Sequence, residues 1–402
     1  MRKLEASNSV KYIISILFLF LAAFDLQIPF LPNGVGFSLL VSLFLLPFFV
    51  VKLTLDSSYY GKCFLRKASP VFFIFFCSFF FIVLRVLLSG VEDAYFLLSW
   101  IKAFFVFTSC LFVFFLFYLE RGASVFIGAL LVVYVLNALV NFVVGTYPGF
   151  FGFLDVFRSG SISDQLGVNP YRNSFLSGSG YYSIGTAYGL MVLLFVFHFV
   201  LSGSRGLVFI FSIVLSAVSG FVAARTAFFA MALALLYVFK LRALYFLLFF
   251  AVGSFFLFLF LTIPAFDPYK GWMMSFFLLS GDSSAAHLIN DMYFWPGDFV
   301  FLMGSGVVND GTFPYTDAGY MQDIVFGGIA FLLLKLSFLF FFGSCFFKKY
   351  PLFTSLVLLS ILVFHFKGLF VYNNAQGMAA LYFIFFYLWS LEDGAICTRD
   401  SM

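Results

Sequence analysis

Charge is scarce in this chain. Only 10% of its 402 residues are Asp, Glu, Lys or Arg, against about a quarter in an ordinary soluble domain, and that scarcity excludes a solvated globular surface. Histidine is rarer still, with three copies. The five cysteines contain no Cys-x-x-Cys pair, which argues against cysteine metal clusters and dithiol redox chemistry. No acidic cluster has the spacing of metal ligands, so neither a divalent metal nor a cofactor is expected. Basic residues never gather into a run, so a net charge of +4 gives nucleic acid no footing. Internal repeats, which mark many transporters, are not evident.

What is present is apolar bulk. Hydrophobic residues make up 63% of the chain and aromatics 23%, with 69 phenylalanines, and the mean hydropathy is +1.09. The fold class is therefore an all-α polytopic membrane protein. A span needs about 20 mostly apolar residues. Candidate stretches are 11–31, 36–52, 70–89, 96–118, 123–145, 181–201, 206–224, 226–240, 243–264, 317–342, 351–370 and 376–391, about twelve in all. The start, Met1-Arg2-Lys3, resembles the basic end of a signal peptide, but no small-residue cleavage site follows, so the first apolar run is expected to stay as a span.

With both termini placed in the cytoplasm, most of the 22 basic residues fall in inward loops, as lysine and arginine should. Two long outward loops result, at 146–180 and 265–316, the second mixing Trp272, Tyr293, Phe294 and Trp295 with acids. Aromatic faces beside carboxylates suit a sugar, and they equally suit an interfacial helix. No cysteine falls in an outward loop, so an oxidising exterior finds no thiols to pair. Arg85, Lys102, Arg158, Arg172, Arg225, Lys270 and Lys367 map to the outer side against the charge bias. Charge placed against the topological rule points to an anionic ligand. Asp25 and Lys335 are intramembrane charges with no obvious partner, of the kind transporters use to relay protons or bind ions.

The most informative stretch runs from Ser280 to Gly328. It holds Leu302-Met303-Gly304-Ser305-Gly306, a polar loop, Thr316-Asp317-Ala318-Gly319-Tyr320, and then Gly327-Gly328 before a long apolar run. A glycine turn lets backbone approach another group closely. Upstream, His287 and Asp291 are four apart and share a face if that piece is helical. This pattern resembles the last large periplasmic loop of Wzy-type O-antigen polymerases, and Ala224-Arg225-Thr226-Ala227 is similar to the Arg-Thr step of that family. The neighbouring O-antigen ligases share the architecture but tend to carry a histidine where this chain has Asp317-Ala318-Gly319-Tyr320.

The resemblance implies a C-type glycosyltransferase-like fold in a bacterial inner membrane, and a metal-independent polymerase. Its substrates are undecaprenyl-diphosphate-linked oligosaccharides, drawn from among the membrane lipids, and a chain-length regulator protein is a further partner. The two rivals are an O-antigen ligase and a lipid-linked oligosaccharide flippase. Arg225, in a turn between two spans, is expected to bind the diphosphate bidentately or to snorkel to lipid headgroups. Lys367, Arg85, Arg172 and Arg158 are further diphosphate candidates, although the arginine-to-glycine spacing of some polymerases does not follow Arg158 or Arg172. Asp317 is either the general base for an attacking sugar hydroxyl or a helix-capping acid. His287 is the other base candidate, or a phosphate contact. Tyr320 is expected to share a helix face with Asp317, to orient substrate or to pack.

Overall fold

The computed structural model describes residues 2–28, 35–55, 59–89, 94–158, 172, 174–203, 206–241, 243–264, 267, 270, 284–307 and 313–400. Regular structure among them is helical throughout, with one isolated bridge between Gln27 and Gly36. Every apolar stretch picked out above contains a helix, although the first helix ends at Phe24, short of the expected 31. In order these are α1 (Arg2–Phe24), α2 (Phe37–Leu55), α3 (Tyr59–Ser89), α4 (Tyr95–Val113), α5 (Ala123–Thr146), α6 (Phe151–Asp155), α7 (Tyr181–Ser202) and α8 (Leu207–Ala223). They continue with α9 (Ala227–Leu241), α10 (Ala243–Thr262), α11 (Ser284–Asp291), α12 (Asp298–Met303), α13 (Gly319–Phe346), α14 (Pro351–Lys367) and α15 (Ala375–Asp400); α6, α11 and α12 lie in the two long loops. Among the described residues, six helical segments are long and apolar enough to cross a membrane: Phe37–Thr54, Ser69–Ser89, Tyr95–Tyr118, Ala123–Thr146, Tyr181–Ser202 and Gly319–Phe346. Val10–Phe24, Leu207–Ala223, Ala227–Phe239, Phe249–Leu259 and Pro351–Lys367 are apolar but shorter.

The chain divides into two compact units. The first comprises Met1–Lys52, Phe105–Lys270 and Ala375–Met402; the second comprises Leu53–Phe104 and Gly271–Asn374. In the first unit α7 is the core. It is apolar all round, as a helix without an exposed face must be, and is buried continuously from Ile184 to Phe197. Helices α8, α9, α15 and α5 pack against it. Small residues permit the close crossings: a Cβ on Gly185 would meet that of Ala224 at 2.4 Å, and one on Gly220 would meet Tyr188 at 2.7 Å. The second unit is built on α13, with α3, α12 and α14 around it. On α3, Phe73, Phe76, Phe80, Leu84 and Leu87 are all more than half exposed except Phe76, at 50%. Their spacing makes one apolar stripe, and a stripe of that size on a helix suits lipid.

Helix α13 is broken inside. Gly328 takes φ +69° and ψ −172°, a left-handed extended conformation that only glycine adopts without strain. The break frees carbonyls that an unbroken helix would satisfy, and lipid supplies no donors. The glycine turn after α12 supplies them. The Ser305 N–H donates to the Val325 carbonyl at 2.7 Å and the Gly306 N–H to the Phe326 carbonyl at 2.8 Å. The Ser305 hydroxyl also reaches the Val325 oxygen, at 2.9 Å. The group that the glycine turn approaches is thus the broken helix that follows it in the chain.

Two glycines make the fit possible. Gly304 has φ +75°, and a Cβ there would lie 2.4 Å from the Phe326 oxygen; a Cβ on Gly328 would lie 2.3 Å from the Leu302 oxygen. Gly304→Ala therefore combines a strained backbone with a backbone collision. We expect it to cost about 1–3 kcal/mol, read as a lowered thermal midpoint of the protein in detergent. An unchanged midpoint would mean that the turn does not seat against the break.

Candidate functional site

The second unit brings four of the sequence candidates onto adjoining segments. Asp317 is exposed and stands just ahead of α13 rather than within it. The helix cap is Ala318, whose N–H donates to the Thr316 hydroxyl at 3.1 Å. No side chain caps this helix, so Asp317 does not fill the capping role considered for it, and it does not share a helix face with Tyr320. The Tyr315 hydroxyl donates to Asp317 Oδ1 at 2.6 Å. Tyr320 packs: its hydroxyl donates to the Leu362 carbonyl on α14 at 3.0 Å, and its ring lies edge-on to His365 at 4.7 Å.

Helix α11 contains both His287 and Asp291, so the helical condition for their sharing a face is met; the His287 side chain lies outside the described residues. That helix is docked beside Asp317. Leu288 and Met292 form a small apolar cluster with Ala318 and Met321, and the Thr316 hydroxyl donates to the Met292 carbonyl at 2.8 Å. Lys367 closes α14, half-buried. The segment after α11 reaches the same place, since the Tyr293 ring stacks on Phe366 at 4.7 Å and its hydroxyl donates to the Phe366 carbonyl at 2.8 Å. Burial and the nearby Tyr320 push the Tyr293 phenol upward, so it remains a donor. Arg85, also in this unit, is a backbone clamp, its Nη2 donating to the Gly304 carbonyl at 2.8 Å.

In the first unit Arg172 and Arg225 are neighbours. Arg225 occupies the three-residue turn between α8 and α9. Arg172 lies flat on the Tyr181 ring, 3.5 Å from its centroid, and its Nε donates to the Ala223 carbonyl at 3.3 Å. Cation–π stacking and a helix C-terminal carbonyl are both natural partners for guanidinium. Burial lowers the pKa of each arginine, and the charge of Arg225 lowers that of Arg172 further. Two like charges held together in a poorly solvated place favour an anion. Arg158 is different: it is 5% exposed and donates through Nη2 to the Phe175 carbonyl. Burial lowers its pKa to about 10, and it fastens the described end of the first long loop.

One constellation escaped sequence reading. Asp323 on α13 is buried among apolar helices and accepts from Lys335 Nζ at 2.5 Å and from His365 Nε2 at 2.9 Å. Lys335 also donates to the Asn373 side-chain oxygen at 3.2 Å. The Phe370 N–H donates to His365 Nδ1 at 3.1 Å. That bond fixes the tautomer, since an Nδ1 that accepts leaves the proton on Nε2. Lys335 thus has the counter-charge that its place in a membrane helix demands. The signal available in sequence was one acid and one base in the same apolar run with a glycine pair between them.

Compared with models of protein families, with curated proteins and with solved structures, the chain finds no match.

Proposed function

We propose that this chain is an O-antigen polymerase, transferring a growing glycan from undecaprenyl diphosphate onto a lipid-linked repeat unit. It works at the periplasmic face of a bacterial inner membrane, crossing it about twelve times with both termini in the cytoplasm. The acceptor hydroxyl attacks the anomeric carbon of the donor and gives its proton to Asp317 or His287. The anomeric C–O bond breaks, its electron pair leaves with the polyprenyl diphosphate, and a single displacement inverts the anomeric centre. Fixed cations stabilise the charge that grows on the leaving group, a role we give to Arg225 and Arg172.

The observation that carries this reading is Arg172, stacked on Tyr181 beside Arg225, with both arginines desolvated and placed against the charge bias of the loops. A second reading, a lipid-linked oligosaccharide flippase, draws on the buried Asp323–Lys335 pair, because intramembrane ionisable groups often serve transport. The glycans of a deletion strain separate the possibilities. Loss of a polymerase leaves single repeat units on the lipid A core. Loss of a ligase leaves none attached, and a transport defect traps the units inside.

Asp317→Asn keeps the hydrogen bond from Tyr315 but cannot accept a proton. Purified protein with this change, given a lipid-linked repeat unit isolated from cells lacking the chain, is expected to lose turnover about 100-fold or more while still binding the donor. Normal turnover would move the base to His287.

A further inference from the structure

The buried charges of the second unit have no part in the proposed transfer, and their bonding shows why. Both nitrogens of His365 are engaged, Nδ1 by the Phe370 amide and Nε2 by Asp323. Both oxygens of Asp323 are engaged, one by His365 and one by Lys335. Lys335 is further enclosed by the faces of Phe96 and Phe331, at 5.1 and 4.9 Å. No group in this cluster is presented to a substrate. It joins segments instead.

The first join is within α13. Asp323 and Lys335 are 12 residues apart, and an unbroken helix would hold their Cα atoms about 18 Å apart, well beyond the combined reach of the two side chains. Their contact exists because the helix breaks at Gly328, so the ion pair fixes the angle of that break. The second join runs from α13 to α14, through Asp323 and His365. It is tight: a Cβ on Gly319 would lie 2.4 Å from the His365 oxygen and 2.6 Å from the Gly368 oxygen. The Tyr320 bond to Leu362 reinforces the same contact. Asp317 precedes Gly319 by two residues, and Lys367 immediately precedes Gly368.

We infer that Asp323, Lys335 and His365 are positioning residues, which set the first half of α13 against the end of α14 and so hold Asp317 in place relative to Lys367. The geometric part of this inference is independent of the reaction; its effect on turnover rests on the polymerase reading.

The test uses His365, because removing it breaks the join to α14 and leaves the Asp323–Lys335 pair intact. Spin labels are placed at Pro314, exposed ahead of α13, and at Leu359, exposed on α14, in a chain whose native cysteines have been replaced. In His365→Ala the distance distribution is expected to shift or broaden. Its kcat with an isolated lipid-linked repeat unit is expected to fall about 100-fold, the cost of a small misplacement, with KM little changed. His365→Gln keeps a side-chain donor toward Asp323 and should recover much of both. An unchanged distance in His365→Ala overturns the inference, as does a shifted distance with wild-type kcat. If the wild-type protein transfers no glycan, the polymerase reading fails and the distances alone decide the positioning role. Should His365→Ala not accumulate, Tyr320→Phe, which removes the hydroxyl bond to Leu362, carries the same pair of measurements.

Discussion

Replacing Lys335 with methionine is expected to leave little folded protein. Asp323 is fully buried, and its carboxylate has Lys335 as its charged partner. Methionine matches the lysine stem in volume, so the core stays filled; what is lost is the positive charge. Removing one member of a buried ion pair costs about 3–5 kcal/mol, since the other is left charged and desolvated. A typical domain has only about 5–15 kcal/mol in hand. The double variant Lys335→Met with Asp323→Asn removes both charges. Its amide oxygen can still accept from His365 Nε2, leaving the buried amide NH2 group unsatisfied at about 1–3 kcal/mol. The double variant should therefore be recovered in larger amount than the single one, with a higher thermal midpoint. Size-exclusion profiles and unfolding midpoints in detergent measure both, and a single variant as stable as the wild type would mean that the pair does not form.

That pair also marks where the sequence stopped being readable. The apolar helices were legible because each is a long hydrophobic run, and α7 carries no polar face to confuse its boundaries; the short loop helices α6 and α12 were not. The glycine turn at Gly304 to Gly306 was legible as a close approach, since glycine is needed where two backbones meet. Its target was not. Carbonyls become free in α13 only because Gly328 takes a left-handed conformation, and a Gly327-Gly328 pair in an apolar run reads equally as close helix packing. The same break hid Asp323. Helix neighbours are expected three or four positions apart, so an acid and a base 12 apart look like separate intramembrane charges until the helix folds back between them. Asp317 was placed one step wrong for a local reason: the cap position falls on Ala318, one residue past the aspartate that would be expected to fill it. In the first unit, Tyr181 gave no hint that its ring would be the platform for Arg172, because the long loop separates the approach from the motif.

Arg225→Ala is expected to reduce chain extension by about 100- to 1000-fold while the protein inserts at its normal level. The position makes this a clean experiment. Arg225 lies in a three-residue turn and is only half-buried, and alanine keeps the bond from the Phe228 amide to the carbonyl at this position. Arg172→Ala is less diagnostic, because that side chain also stacks on Tyr181 and caps the Ala223 carbonyl. Removing the charge of Arg225 relieves the repulsion that lowers the Arg172 pKa, so Arg172 holds its proton more firmly and the loss cannot be blamed on a second neutralised arginine. Arg225→Lys keeps the charge and gives up the two-pronged geometry, and should fall between alanine and wild type. That ordering, arginine above lysine above alanine, distinguishes a diphosphate contact from a headgroup anchor, for which lysine serves as well as arginine. A normal glycan ladder from Arg225→Ala would leave the two neighbouring arginines without a role and remove the observation on which the polymerase reading stands.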